Sequence, residues 1–255
     1  MGTVRCHTLL QFISSMLLRC CYVSLLLCTA GAQGLGLDAG SLMPAKPIDR
    51  IRDLYAALAL RDPHSAAHSQ RTAQIAVAMG AGMNPAELYV LAVASLLHDI
   101  GKLSIPMRIL NFKGRLSAED WTRMQGHSAM SARLVRMAGL PLGDEIALAV
   151  RHHHENVDGS GYPDGLAGEQ ISLAGRIICL ADAYDAISSA RAYHRDRTHD
   201  ETMGILSREV GRKCDAGVFE RFRHEVEPCL RQSWPWPDED RAVWEPIEAY
   251  LAAQH

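Results

Sequence analysis

The stretch "NPAELYVLAVASLLHDIGK", Asn84 to Lys102, decides how this chain folds. Asn84 before Pro85, with Glu87 three positions after it, has the form of a helix start. The amide can accept from free N–H groups, the proline loses nothing at the first position, and the carboxylate can close a capping box. The apolar run from Leu88 to Leu97 shows no period-two alternation, so it reads as a helix buried on most sides. It ends at His98-Asp99, with Gly101 expected as a left-handed cap. An imidazole and a carboxylate at this end need a partner. A cap with a hydrogen-bonded histidine accounts for them as readily as a metal does, although Lys102 could bring an ammonium to the same place.

The same punctuation recurs outward from this helix. Asp62-Pro63 opens a helix that runs to Gly80, and "SAED", Ser117 to Asp120, opens one that passes His127 and stops at Gly139-Leu140-Pro141. "GDEIALAVRHHHE" is the next, Ser172 caps a buried helix through "RIICLADAYDAI", and Thr198 with Glu201 makes another box. Asp215 starts a last domain helix that Pro228 is expected to end, and the tail carries a short amphipathic helix, Glu245 to Ala253. Almost nothing alternates with period two, so the fold class is all-α, a bundle of about six to eight helices. The expected organisation is an apolar segment and linker over 1–45, a domain over 46–228, and a Trp-rich tail over 229–255 whose aromatic rings dock it on the bundle or serve a partner.

A net charge of -3 over 255 residues, without blocks of one sign, argues against a surface gripping long nucleic acid. Cys6, Cys20, Cys21 and Cys28 crowd the start, while Cys179, Cys214 and Cys229 are scattered, a pattern that fits a reducing compartment rather than a disulfide framework. Residues 9–32 are apolar but carry Arg19, whose central placement in a span costs about 2.5 to 3.5 kcal/mol. Three readings stand: a membrane anchor, a cleaved signal, or a segment upstream of the true start.

Candidate chemistry lies elsewhere. His64 and His68 are four apart on one helix and share a face, a familiar way to offer two nitrogens to one ion. His127 alone is by default a satisfied or solvent-facing residue. In "RHHHENVDGSGYPDGL", Arg151 to Leu166, at most two of His152, His153 and His154 can converge inward before a loop rich in glycine. Asp182 and Asp185 lie in an apolar helix, where burial demands a metal, a cap, or an arginine such as Arg176 or Arg191.

Taken in order, "HS" at His68, "LLHDIGKLSIP" from Leu96, His127, "HHENVDGSGYPDGL" from His153 and "ADAYDAISSARAY" from Ala181 resemble the HD-GYP phosphodiesterases. The resemblance spans roughly Ala45 to Val226, and "HDIGK" combined with "DGSGYP" is its specific part. It implies an HD-superfamily bundle with a metal site between helices. It further implies two or three divalent ions, iron or manganese, and hydrolysis of cyclic di-GMP to pGpG or GMP through a metal-bridging hydroxide. His68, His98, Asp99 and Asp182 match the first metal site, with Asp99 bridging, and His127, His153 and His154 match the further ligands. Lys102 matches a lysine at the scissile phosphate or leaving oxygen, and Arg191 an arginine that grips phosphate. The loop Gly161-Tyr162-Pro163 matches a contact for other signalling proteins, and the domain is expected in the cytoplasm.

Two positions depart from the family. His64 stands where some relatives carry a ligating glutamate, so it is a candidate support for a third ion. His194 follows "RAY" where a basic residue is usual, which implies weaker substrate hold and leaves another nucleotide substrate as an alternative; a scaffold acting through protein contacts of the Gly161-Tyr162-Pro163 loop is the other.

Overall fold

The computed structural model describes residues 45–189, 197–232 and 239–254. The apolar segment 9–32, Arg191, His194, Trp234 and Trp236 lie outside them. Eleven α-helical segments are found among the described residues: α1 (Pro47–Arg61), α2 (Pro63–Met79), α3 (Pro85–Leu97), α4 (Met107–Leu110), α5 (Ala118–Met137), α6 (Gly143–His152), α7 (Leu173–Ser188), α8 (His199–Glu209), α9 (Ala216–Glu225), α10 (Glu227–Gln232) and α11 (Glu239–Ala252). Eight of those before Glu227 have ten residues or more, so the all-helical bundle stands. The short α4 and α10 carry no long apolar period. Among the described residues, no helix is long and apolar enough to cross a membrane.

Local chemistry sets the helix starts. The Asp62 side chain accepts from Ser65 N, that of Asn84 from Ala86 N and Glu87 N, that of Ser117 from Asp120 N, that of Ser172 from Gly175 N, and that of Thr198 from Glu201 N. Each satisfies a donor that has no partner within its helix. α3 is the centre of the core: Tyr89, Leu91, Ala92, Val93, Ala94, Leu96 and Leu97 are all buried. It packs against α2, α6, α7 and α11, as an all-round apolar helix must. α11 docks through Tyr250, whose ring stacks on Tyr89 with centroids 4.4 Å apart, and through Trp244, which meets Tyr55 and lies under Arg52.

Three expectations need correction. Gly101 is not a left-handed cap: it lies inside a 3-10 helix, Ile100–Ser104, and owes its identity to close packing. A Cβ there would fall against His127 O and within 2.6 Å of Ser131 N, so glycine lets α5 approach the end of α3. Pro228 does not end the helix begun at Asp215. α9 closes before it, and Pro228 sits in the first turn of α10, where a proline is tolerated. The tail helix starts at Glu239 rather than Glu245 and carries Pro246 within it.

Candidate metal centre

Five segments bring donors to one place: His68 from α2, His98 and Asp99 from the end of α3, His127 from α5, His153 and His154 just past α6, and Asp182 from α7. Local geometry aims three of the rings in the same way. Nδ1 of His98 lies 2.7 Å from Ser95 O, Nδ1 of His127 2.7 Å from Met124 O, and Nδ1 of His153 2.5 Å from Val150 O. A carbonyl only accepts, so each Nδ1 carries the proton and Nε2 faces the centre. Ser95 and Val150 belong to last helical turns, where carbonyls lack partners within the helix. Placing a histidine at the end of a helix therefore supplies its own orienting acceptor.

The donors fall into three overlapping groups, in each of which one atom per residue lies within 4.8 Å of the others: His68, His98 and Asp182; His98, Asp99 and His153; His127, His153 and His154. Asp99 faces two ways. Its Oδ1 is 3.3 Å from His127 Nε2, and its Oδ2 is 3.6 Å from His98 Nε2 and 2.5 Å from Lys102 Nζ. Nε2 of His127 and Nε2 of His153 stand 3.3 Å apart.

Burial and charge compete at the centre. Burial pushes His127 and His153 below the ordinary histidine range, and His154 down to about 3, so these imidazoles are neutral at pH 7. Burial alone would raise Asp99, but Lys102, His98, His127 and His68 together hold it well below the carboxylate range. Asp182 is likewise held low against burial, by its hydrogen bond and charge interaction with His68. His68 moves the other way: burial lowers it, yet hydrogen bonds to Asp182 and Asp185 outweigh that and raise it to about 9. Burial and the nearby Asp182 and Asp99 charges keep the Tyr162 phenol protonated.

A second layer of residues holds these side chains in place. Asp185 accepts from Arg71 through two bonds, 2.6 and 2.9 Å, and contacts His68 Nδ1 at 2.6 Å. The arginine that offsets Asp185 is therefore Arg71, not Arg176, which pairs with Asp215 at 2.7 Å. His152 is turned from the centre and accepts from Ser172 N, so of the three consecutive histidines only His153 and His154 converge. Buried Glu155 accepts from Asp164 N and Leu166 N, tying the loop back on itself. Gly159 has φ +82° and needs glycine for that reason, whereas Gly161 needs it because a Cβ would strike the backbone at Glu155 and Asn156. The Tyr162 ring consequently lies beside His154, with centroids 4.8 Å apart, and the Tyr162-Pro163 peptide is cis.

His64 is exposed and belongs to none of the three groups. One helical turn separates His64 from His68, yet His68 joins the donor groups and His64 does not. Arg71 and Glu155 were missed in the sequence. Their signals were slight: an arginine three positions after His68, and a glutamate directly after the histidine run.

A family model described as an HD domain matches residues 53–218. A cyclic di-GMP phosphodiesterase of Vibrio cholerae is 35% identical over 187 residues, covering 68% of this chain and 38% of that protein. A 3'3'-cGAMP-specific phosphodiesterase 3 of the same organism is 34% identical over 161 residues, covering 62% and 35%. The crystal structure of a cyclic GMP-AMP specific phosphodiesterase of V. cholerae matches with a TM-score of 0.55 at 18% identity, covering 81% of this chain and 59% of that one, which bears on the fold alone. The chain thus spans well under half the length of these two curated relatives.

Proposed function

We propose, from the premise that this chain belongs to the HD-domain family, that it is an HD-GYP-type metal-dependent phosphodiesterase that hydrolyses cyclic di-GMP to pGpG or GMP. The observation that carries this reading is the 3.3 Å approach of His127 Nε2 to His153 Nε2. Both rings spend their Nδ1 proton on a carbonyl and both are neutral, so two bare lone pairs face each other in a buried place. That arrangement is repulsive unless a cation accepts both.

The donor set fits two divalent ions. His68, His98 and Asp182 would hold one, His127, His153 and His154 the other, and Asp99, with an oxygen toward each side, would bridge them. Mixed imidazole and carboxylate donors suit iron or manganese among others. Such ions, when bound, lower the pKa of a water and neutralise charge on a phosphodiester. Around them, Lys102 places an ammonium next to Asp99, where it can bind a non-bridging phosphate oxygen or give a proton to the departing one. Arg71 and Asp185 hold the His68 ring, and the Tyr162 phenol remains a hydrogen-bond donor at the rim. Arg191 is assigned to phosphate by the motif resemblance alone. Contacts of the Gly161-Tyr162-Pro163 loop with signalling proteins rest on the same resemblance, whereas a cytoplasmic site of action rests on the scattered thiols and an anchor at residues 9–32 on that segment's apolar composition.

The similarity to a 3'3'-cGAMP-specific enzyme makes a second cyclic dinucleotide the competing substrate. The deciding experiment purifies the full chain without oxygen, measures iron and manganese per chain, and identifies products from both nucleotides. About two metals per chain and pGpG or GMP from cyclic di-GMP, both lost in Asp99→Ala, are expected. Turnover of 3'3'-cGAMP alone would replace the substrate, and turnover of neither would sink the reading.

A further inference from the structure

A line of rings leads out of the centre. His154 meets Tyr162 with centroids 4.8 Å apart and planes tilted by 34°, and Tyr162 meets Trp121 edge to face at 6.5 Å and 79°. Trp121 lies in the first turn of α5, the helix that carries His127, and the residue is 49% exposed. The residue thus packs on Tyr162 and is also open to water. Its turn is held in place: Asp120 N donates to Oγ of the Ser117 cap, and the Asp120 carboxylate accepts two bonds from Arg108, at 2.9 and 3.0 Å, which ties α5 to α4.

A large half-exposed aromatic ring, joined to a histidine-lined centre through Tyr162, leaves part of its surface open to a ligand. Aromatic side chains with an open face bind nucleobases by stacking, and do so with little regard to which base is present. In a dinucleotide, each base hangs one sugar away from a phosphate. A phosphate at the metal centre would therefore hold a base near the rim, where Tyr162 and Trp121 lie.

We infer that Trp121, backed by Tyr162, is a stacking subsite for one nucleobase of the substrate. This rests on the phosphodiesterase reading above and assigns Trp121 to binding, not to the bond-breaking step. The subsite explains how the chain can hold a cyclic dinucleotide with an imidazole at position 194, because base stacking supplies affinity that does not depend on phosphate contacts.

The test uses the full manganese-loaded chain. Trp121→Ala is expected to weaken cyclic di-GMP, as KM and in a direct binding titration, by roughly tenfold to a hundredfold. Its kcat and its turnover of methyl p-nitrophenyl phosphate, a diester without a base, should stay at the level of the parent chain. Trp121→Phe keeps a stacking face, so affinity should return while the nucleotide-induced quenching of tryptophan fluorescence falls. Unchanged affinity in Trp121→Ala, or an equal loss against the base-free diester, would overturn the subsite. The binding titration needs no turnover, so a chain that binds but does not hydrolyse the nucleotide counts against the phosphodiesterase reading and still decides this one.

Discussion

Asp185 Oδ2 lies 2.6 Å from Nδ1 of His68, on the edge of the ring opposite Asp182, whose Oδ1 is 2.7 Å from Nε2. One carboxylate orients the imidazole, and the other shares the side that would face an ion. Partners of this kind typically govern metal affinity by about 10- to 100-fold. Asp185→Asn keeps the shape and removes the charge. Metal affinity, measured by competition with a chelator, is expected to fall by that order while circular dichroism remains helical. Unaltered affinity would mean that Asp185 serves only to neutralise Arg71.

The same pair yields a pH dependence. The folded pKa of His68 is raised to about 9 from an ordinary 6.5, so in metal-free protein its ion pairing stabilises fully below about pH 6.5. That contribution is lost as pH rises through about 9. A metal on Nε2 must displace the proton there, whereas His127, His153 and His154 are already neutral. Loading at pH 7 should then release about one proton per chain from His68, fading towards pH 10. Calorimetry in buffers of different ionisation enthalpy reads this directly, and zero release at pH 7 would contradict it.

Lys102 contacts both Asp99 Oδ2 and Ser65 Oγ, the latter at 3.3 Å, and on the proposed function it would meet a phosphate. Lys102→Met is expected to lower kcat by about 10²- to 10³-fold, the usual cost of losing one charge-stabilising donor. Metal per chain should be retained. A variant that loses its metal in parallel would instead make Lys102 a support for Asp99.

His64 is exposed and outside the donor groups, so His64→Ala should leave both metal content and kcat unchanged. A drop in metal per chain by one would establish a third ion at this histidine.

Gly101→Ala forces a methyl group against α5 at His127 and Ser131. Overpacking of this kind typically costs about 1–3 kcal/mol. The expected result is a lower thermal midpoint together with weaker metal binding, because the strain falls on the helix that carries the candidate ligand His127. A merely less stable protein with unchanged metal affinity would separate the packing from the site.

The capped helix starts and the residue types at the centre were legible in the chain itself, whereas the ends expected at Gly101 and Pro228 and the tail-helix start at Glu245 were not. Asp62, Asn84, Ser117, Ser172 and Thr198 cap as their spacing implies, because a cap bonds across two or three residues and owes nothing to distant packing. What only the tertiary structure decided involves residues far apart in sequence. Gly101 answers to α5 rather than to its own turn, and Asp185 takes Arg71 instead of Arg176. His152 turns towards Ser172 while its two neighbours face inward, and Trp121 meets Tyr162. Each of these follows from where helices cross, which depends on burying the whole apolar surface at once and cannot be read from the spacing of any one segment.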